Sequence, residues 1–223
     1  MIIEMNGLFI TFEGGEGSGK TTQIQCLKEW FKNNVETCDL CLTREPGGTH
    51  GAESIRALLL NGSAGKWQPA TEAMLMSASR HEHVFGVIRP ALDRGDIVIC
   101  DRFTDSTHVY QGYVGGVNEK LLEELDQLSC NGLVPDLTLL LDIDSNEGLA
   151  RTVKRGVEES RFETKGKAFH QRVRKGFIER AGRHSNRIVI IGAARPAYDV
   201  ARDVVNAVKP LLVSNGISLK APC

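Results

Sequence analysis

The sequence lacks an excess of charge of either sign, and it lacks long apolar runs. Its 223 residues contain 27 Lys and Arg against 28 Asp and Glu, a net charge of −1. A chain so close to neutral has no general attraction for nucleic acid or for an anionic membrane, so we expect neither as a partner. No apolar stretch approaches the ~20 residues that a membrane-spanning helix needs. Binding of phosphate must therefore depend on local clusters of charge.

Cysteines in a metal-binding pattern are also scarce. Among six cysteines, Cys38 and Cys41 form a C-x-x-C pair, but no second C-x-x-C or H-x₃-H pair completes a zinc site. Most of the cysteines lie in or beside apolar runs, where a thiol behaves as a small buried hydrophobe. The first twelve residues carry Glu4 and no basic stretch, which argues against a secretory signal peptide. We expect a cytoplasmic protein.

The remaining composition is that of an ordinary globular protein. Hydrophobic residues make up 41% and charged residues 25%. At about 150 residues per domain, the length suits one large domain, and no linker or internal repeat divides the chain. We expect a single domain over residues 1–223.

Short apolar runs alternate with helical patterns along the chain. The apolar runs predict strands at residues 7–12, 39–43, 96–100, 137–143 and 187–191. Helical spacing predicts helices at 20–31, 51–61, 70–93 (with a kink at Pro90), 104–112, 118–130 and 197–212, and two more around the basic stretch at 151–180. Continuous apolar strands alternating with helices are typical of a parallel sheet covered on both faces. The fold class predicted is α/β with a five-stranded parallel sheet.

Residues 14–21 (GGEGSGKT) fit the phosphate-binding pattern G-x-x-x-x-G-K-[ST] and lie between a predicted strand and a predicted helix. Glycines let backbone N–H groups converge on a phosphate, and the helix N-terminus adds partial positive charge. In this pattern Lys20 reaches the β- and γ-phosphates of a nucleotide, and the Thr21 hydroxyl ligates Mg²⁺. The sequence therefore predicts a nucleotide site in this segment, called the phosphate loop below.

Charged residues also follow two predicted strands at their carboxyl ends, the edge where open α/β sheets bind ligands. Asp101 and Arg102 follow one strand, and Arg44 follows another. A carboxylate there can hold Mg²⁺ and an arginine can bind phosphate, although a surface ion pair would also account for Asp101 and Arg102. Two arginines on one edge favour a second phosphate site, and hence a phosphoryl acceptor other than water.

A basic stretch follows the fourth predicted strand. Residues 151–180 contain ten Lys and Arg and four Asp and Glu. Such a stretch is either a solvated helix face or a mobile lid that brings arginines to the transferred phosphoryl group and excludes water. For a lid over about residues 151–166, the candidate catalytic residues are Arg151, Arg155 and Arg161.

One face of the predicted helix at 70–93 combines polar and apolar residues. Met76, Arg80 and His83 lie on that face by helical spacing. The arginine can either hydrogen-bond the edge of a base beside Met76 or pack in the core with its charged end extended toward water.

The motifs together resemble the bacterial thymidylate kinases. Besides the phosphate loop and Asp101-Arg102, the resemblance depends on residues 43–49 (TREPGGT) and 105–112 (DSTHVYQG), in unbroken order within residues 7–195. It implies a P-loop kinase fold with a mobile lid, transfer of the γ-phosphoryl group of ATP to dTMP with Mg²⁺ in dTTP synthesis, and a homodimer.

The resemblance also assigns roles on the donor side. It implies that Lys20 and Arg102 are catalytic and that Thr21 and Asp101 lie near Mg²⁺. It further implies that ATP is bound by Gly14, Gly15, Glu16, Gly17, Ser18, Gly19, Lys20, Thr21 and Thr22.

On the acceptor side, the resemblance implies that Arg44 and Arg102 hold the dTMP phosphate. Glu16 would accept a hydrogen bond from the 3′-hydroxyl, and Tyr110 would crowd the 2′ position. The substrate residues implied are Glu16, Arg44, Met76, Arg80, Arg102, Ser106, Thr107, Tyr110 and Gln111.

Met76 departs from the family, which usually has an aromatic residue at this position to stack on thymine. A thioether can pack on a ring at ~0.3–1.5 kcal/mol, so the function is retained in principle. The departure makes a kinase for another (deoxy)nucleoside monophosphate the alternative. A GTP-binding switch protein would need an Asn-Lys-x-Asp segment, which the sequence lacks, and a DNA-associated ATPase would need basic surface beyond the one stretch.

Overall fold

A computed structural model describes residues 7–36, 38–63, 65–155 and 165–220, except for the side chains of residues 154 and 155. The described residues form a sheet of five parallel strands in the order β2-β3-β1-β4-β5. The strands are β1 Leu8–Glu13, β2 Leu40–Arg44, β3 Ile97–Asp101, β4 Leu137–Asp142 and β5 Ile188–Gly192. The α/β class and the five-stranded parallel sheet are confirmed.

Helices connect the strands. They are α1 Lys20–Asn34, α2 His50–Leu60, α3 Pro69–His83, α4 Arg89–Asp93, α5 Thr104–Thr107, α6 Glu119–Cys130, α7 Ser145–Arg155, α8 Lys167–Arg183 and α9 Ala197–Ser214. In the described part of the chain, none of them combines the length and apolar character required to cross a bilayer.

The central strand β1 is buried on both faces of the sheet. All six of its residues are buried, which explains why its sequence is a continuous apolar run. Ile10 and Phe12 pack in a core shared with α1 and α9. Phe9 packs on the other face with Ile88 and Phe103. Helices therefore cover both faces, as predicted.

The parallel register brings the carboxyl ends of the strands to one edge. Arg44 of β2 lies beside Asp101 of β3, and Asp101 lies beside Phe12 of β1. The backbone N–H of Arg102 then donates to the carbonyl oxygen of Phe12 at 2.9 Å, so the chain turns across this edge. Charged residues that are distant in sequence meet there as a result.

The predicted helix over residues 70–93 is confirmed in extent, but its winding changes just before Pro90. α3 ends at His83, and a π-helical turn spans Val84–Ile88 before α4 begins. Pro90 has no N–H, and its ring conflicts with the carbonyl group four residues earlier, so the wider turn before it relieves that clash. A second π-helical turn, His108–Val114, replaces the end of the predicted helix at 104–112.

Candidate active site

A cleft of about 360 Å³ opens at the carboxyl edge of the sheet. Its walls come from the phosphate loop, from the ends of β2 and β3, from α2 and α3, and from the segment that begins at α5. The predicted residues that line it are Glu16, Gly17, Ser18, Gly19, Lys20, Thr21, Arg44, Met76, Arg80, Asp101, Arg102, Ser106, Thr107, Tyr110 and Gln111. The fold therefore brings every predicted substrate residue into one cleft, and their contacts with a ligand stay predictions.

A second cavity, of about 350 Å³, lies on the other side of the phosphate loop. Thr22 and Arg151 line this cavity together with Gly17, Ser18 and Gly19, which also line the cleft. The two remaining predicted loop residues, Gly14 and Gly15, border a cavity of about 20 Å³ behind the loop. The phosphate loop thus separates two spaces that can each hold a ligand, an arrangement that suits transfer of a group between them.

The phosphate loop has backbone conformations that favour glycine. Gly14, Gly17 and Gly19 have φ angles of 139°, 68° and 92°. A Cβ atom on Gly17 would lie 1.9 Å from the carbonyl oxygen of Gly148 in α7. Glycine at position 17 is therefore required both by the turn and by close contact with the helix that leads into the predicted lid.

Lys20 is the first residue of α1 and lies buried in the cleft wall. Its Nζ donates hydrogen bonds to the carbonyl oxygens of Gly14 at 3.1 Å and Gly15 at 3.2 Å. Burial and the nearby Arg102 guanidinium lower the pKa of Lys20, while the charge of Asp101 acts in the opposite direction. An anionic phosphate in the cleft would stabilise this ammonium group.

Arg102 reaches from the end of β3 to the phosphate loop. Its Nη1 donates to the carbonyl oxygen of Gly14 and to Ser106 Oγ, each at 3.1 Å, and its Nη2 donates to Glu16 Oε1 at 2.9 Å. The guanidinium also lies 5.4 Å from the centre of the Tyr110 ring. Burial opposes the charge of Arg102, but Tyr110 and Glu16 raise its pKa above the ordinary value. The pKa of Glu16 is in turn lowered by Arg102, against the opposing effect of burial.

Asp101 has a carboxylate oxygen without a hydrogen bond. Its Oδ1 is buried and has no hydrogen-bond partner within the described residues. Asp101 and Thr21 both line the cleft. Carboxylate and hydroxyl oxygens are ligands that Mg²⁺ accepts, and a buried carboxylate oxygen gains from a cation in place of a missing donor. The residues present therefore fit Mg²⁺ held by Asp101 and Thr21.

Arg80 is buried in the cleft wall with 2% of its surface exposed. Its Nε donates to Glu45 Oε2 at 2.8 Å, and its Nη2 donates to Thr107 Oγ1 at 2.9 Å. The guanidinium lies 5.2 Å from the centre of the Phe103 ring. Burial opposes its charge, but the carboxylate of Glu45 raises the pKa of Arg80. Its Nη1 has no hydrogen-bond partner in the described chain, but it lies at ion-pair distance, 3.7 Å, from Asp126 Oδ1. Because the side chain is buried, Arg80 does not extend toward water.

Of the predicted lid, residues 151–166, the structure describes residues 151–155 at the end of α7 and residues 165–166 before α8. Arg151 Nη1 donates to the carbonyl oxygen of Ala193 at 3.1 Å, and its Nη2 donates to Glu147 Oε1 at 2.6 Å. The side chain of Arg155 and the whole of Arg161 lie outside the described residues. The lid, with its three arginines, stays a prediction.

The sequence analysis did not identify three residues that line the cleft, because no motif contains them. They are Arg56 and Leu60 of α2 and Phe103. Arg56 Nη1 donates to the carbonyl oxygen of Pro46 at 2.6 Å, and burial lowers the pKa of Arg56. Arg56 lies four residues after the fully buried Ala52, so helical spacing was a signal that could have found it.

The chain is similar to known proteins over most of its length. Residues 12–204 match the model of the thymidylate kinase family. The thymidylate kinase of Caulobacter vibrioides is 49% identical over 201 residues, which cover 90% of this chain and 93% of that protein. The thymidylate kinase of Ruegeria pomeroyi is 46% identical over 202 residues, 91% of this chain and 94% of that protein.

The fold is also similar to a solved structure. The crystal structure of thymidylate kinase from Ehrlichia chaffeensis matches with a TM-score of 0.72 and 33% sequence identity, over 91% of this chain and 99% of that chain. These matches confirm the resemblance that the sequence motifs indicated, together with the P-loop kinase fold. The chain belongs to the thymidylate kinase family.

Proposed function

We propose that this protein transfers the γ-phosphoryl group of ATP to dTMP, with Mg²⁺, and so forms dTDP for dTTP synthesis. Membership of the thymidylate kinase family supports dTMP as the substrate and a nucleotide phosphate as the donor. The observation that carries the proposal is the single cleft in which Lys20 of the phosphate loop meets Arg44, Arg80 and Arg102.

The dTMP phosphate is assigned to Arg44 and Arg102. Arg44 lies at the rim, where its side chain is 53% exposed and pairs with Glu53 at 2.9 Å. An exposed pair of this kind contributes little, about 0–1 kcal/mol, so Arg44 can leave Glu53 and bind a phosphate oxygen. Arg102 is held deeper, by Glu16 and by the phosphate loop. The two guanidinium groups would bind the phosphate from the rim and from within the cleft.

The nucleoside part of dTMP is assigned to the inner wall. Arg80 and Thr107, which both line the cleft, supply polar contacts to the thymine edge, while Met76 packs on the ring. Glu16 is assigned to the 3′-hydroxyl. Tyr110 Oη donates to Glu16 at 3.4 Å. Tyr110 is therefore assigned to the 2′ side of the sugar, where its ring would crowd a hydroxyl group.

The ATP phosphates are assigned to the phosphate loop and the ATP nucleoside to the second cavity. Glycine N–H groups and the α1 N-terminus are typical ligands for phosphate. Arg151 and Arg195 both line the second cavity, so that its wall is basic where it borders the phosphate loop. This assignment places donor and acceptor on opposite sides of one loop.

Catalysis then consists of positioning and charge neutralisation. Mg²⁺, held by Asp101 and Thr21, would offset part of the phosphate charge. Lys20 and Arg102 hold the phosphates of donor and acceptor close together, and the arginines of the lid exclude water. No side chain has to act as a general base, because a phosphate monoester with a second pKa of about 6 is already largely ionised near pH 7.

The proposal includes a homodimer in the cytoplasm. Met74 of α3 and Phe85 of the π-helical segment that follows it are 49% and 42% exposed, and they lie about three helical turns apart. Exposed apolar side chains on one surface are suited to contact with a second copy of the chain. Sedimentation of the purified protein should therefore give twice the chain mass of 24.4 kDa.

A panel of acceptors tests the assignment. ADP formation from ATP and Mg²⁺ is measured with dTMP, dUMP, UMP, dCMP, dGMP or AMP, with no acceptor and with excess EDTA as controls. We expect the highest kcat/KM with dTMP, little ADP without an acceptor, and loss of turnover in EDTA. A clear preference for another monophosphate would remove the thymine roles of Arg80, Thr107 and Met76 and leave a kinase with a different acceptor.

A further inference from the structure

Glu13 is a buried carboxylate that the proposed reaction does not use. It is the last residue of β1, is 1% exposed, and lies behind the cleft rather than in its wall. Within the described chain, its Oε1 accepts hydrogen bonds from the backbone N–H groups of Phe103 at 2.9 Å and Ser106 at 3.1 Å. Its Oε2 accepts from Ser106 Oγ at 2.6 Å. These donors all belong to the turn that follows Arg102.

The contact with Ser106 connects Glu13 to the cleft. Ser106 Oγ donates its proton to Glu13, and the same oxygen accepts from Arg102 Nη1 at 3.1 Å. Proton directions along this chain are consistent, because the guanidinium and the hydroxyl each donate once and the carboxylate only accepts. Arg102 therefore reaches its position through a hydroxyl group that Glu13 orients.

The backbone at Arg102 needs such support. Its φ angle is +69°, in the left-handed region that side chains other than glycine rarely adopt. A conformation of this kind persists only where surrounding contacts hold it. Glu13 supplies them from the other side of the turn, by accepting the N–H groups of Phe103 and Ser106.

Opposing effects act on the pKa of Glu13. Burial and the charge of Asp105 raise the pKa of Glu13 from 4.5 to about 7, although Arg102 and the Ser106 hydrogen bond act in the opposite direction. The charged or titratable groups that face it from the surrounding elements are Asp105, Arg102, Lys20, Tyr110, Cys100 and Arg187. Glu13 can thus change its charge near neutral pH.

We propose that ionised Glu13 is a positioning residue, which holds Arg102 through Ser106 in the orientation that receives the acceptor phosphate. The proposal rests on the phosphate-binding role proposed above for Arg102. A protonated Glu13 would present an O–H group to a set of donors and lose at least one of those contacts. Arg102 would then be less well ordered, and phosphoryl transfer would slow as the pH falls.

The test compares Glu13→Gln, Glu13→Asp and Ser106→Ala with the wild type. Values of kcat and of KM for dTMP and ATP are measured from about pH 5.5 to about 8.5, which includes the ionisation of both Glu13 and the dTMP phosphate. We expect Glu13→Gln to lower kcat about tenfold or more at pH 8 with little change in KM for ATP. In the pH–rate profile of Glu13→Gln, the decrease in rate at low pH should come from protonation of the dTMP phosphate alone. Glu13→Asp, which keeps a carboxylate, should recover part of the lost rate.

A double variant separates orientation through Ser106 from direct contact of Ser106 with substrate. If Glu13 acts through this hydroxyl, Glu13→Gln combined with Ser106→Ala is about as slow as Glu13→Gln alone. If the double variant instead loses kcat by the product of the two single-variant factors, the proposal is overturned. If Glu13→Gln does not fold, as judged by circular dichroism, Glu13→Asp replaces it, and Glu13→Asp combined with Ser106→Ala should be about as slow as Ser106→Ala alone. Losses that multiply in that pair, or a wild-type kcat in Ser106→Ala, would overturn the proposal.

Two further variants identify which idea has failed. Arg102→Ala tests the proposed function itself, and a wild-type rate in it would remove both the role of Arg102 and this inference. A slow Arg102→Ala beside a Glu13→Gln with wild-type rate and pH profile would remove only this inference. The matched control is Asp136→Asn, since Asp136 accepts the N–H of Phe9 at 2.8 Å at the opposite end of β1. We expect it to alter stability without changing the pH profile.

Discussion

Lys20 and Arg102 both donate hydrogen bonds to the carbonyl oxygen of Gly14. A carbonyl group does not neutralise either charge, so the two cations face each other across the start of the phosphate loop. Their repulsion contributes to the lowered pKa of Lys20. A nucleotide phosphate would replace the carbonyl oxygen as the partner of the lysine and relieve this repulsion. Relief of this repulsion should therefore favour the binding of ATP at Lys20, independently of the phosphoryl-transfer step.

Removal of the lysine side chain tests this reasoning. We expect Lys20→Ala to reduce kcat/KM by a factor of about 10²–10³ or more, because a donor aimed at the transferring phosphates is lost. The fold should survive, as Lys20 makes its hydrogen bonds only to neighbouring loop carbonyls in the described chain. Steady-state kinetics and a thermal melt check both points. Lys28→Ala, at an exposed position on the same helix, is the control, and wild-type turnover in Lys20→Ala would contradict the mechanism.

Residues of the phosphate loop could be predicted because their function depends on local spacing. Four glycines and a lysine within eight positions already define the loop geometry. Arg80 could be placed on the correct helix face, but the orientation of its guanidinium depends on Glu45 and Thr107, which come from other parts of the chain. Glu13 gave no signal at all, since a glutamate at the end of a strand is ordinary until the turn that it supports is known.

Among the elements, α5 is attached to α8 and to the start of β5 by the carboxylate of Asp105. Asp105 is 1% exposed and pairs with Arg180 of α8 and with Arg187 just before β5, at 2.7 and 2.8 Å for the latter. Although burial opposes its charge, these two arginines hold the pKa of Asp105 far below its ordinary value. The short helix behind Arg102 is thereby fixed to the far side of the sheet.

Breaking this attachment should be costly to stability. We expect Asp105→Asn to lower the free energy of unfolding by about 3–5 kcal/mol, because two arginines lose a buried partner. In the wild type this contribution is complete above the ordinary pKa of 3.8 and is lost only as the pH falls well below it. Urea unfolding at pH 7 provides the measurement.

An exposed ion pair is the control for that experiment. Asp199 lies 3.2 Å from Arg202 on α9, with 35% of the aspartate side chain exposed. Asp199→Asn should cost about 0–1 kcal/mol. Equal losses in the two variants would mean that the buried position of Asp105 has no special importance.

The elements themselves were largely predictable, with one kind of exception. Buried strands such as β1 have a continuous apolar sequence, and their approximate limits follow from it. The π-helical turns at Val84–Ile88 and His108–Val114 could not be placed, since their residues are compatible with an ordinary helix. What selects the wider turn is a proline in one case and packing against α8 in the other, where Gly176 lies close to Val109 and Tyr113.

For the molecule as a whole, ionisation of Glu13 has opposite effects on activity and stability. Activity requires the ionised form if Glu13 positions Arg102. Stability does not, because burial raises the pKa of this group from 4.5 to about 7. Between these two pH values the folded protein holds a proton that the unfolded chain has released. The contribution of Glu13 to stability therefore falls as the pH rises through this range, while the rate increases.

Unfolding by urea at several pH values should show the effect. We expect the wild type to lose stability relative to Glu13→Gln as the pH rises from about 4.5 to about 7, by a few kcal/mol at most, and to change no further above that range. Asp136→Asn serves as the control, with a constant difference from the wild type. A wild type that gains stability over Glu13→Gln in the same interval would show that the sign is wrong.

The central position of β1 also affects how the protein is made. Thr11 of β1 contacts Thr138 of β4, 127 residues later in the chain. At translation rates of about 5–20 residues per second, about 6–25 seconds separate synthesis of these two residues on the ribosome. During that interval β1, all six of whose residues are buried in the folded protein, has been made without one of its two neighbours. The apolar side chains of β1 therefore stay without their full cover during synthesis until β4 has been made and the sheet can close around them.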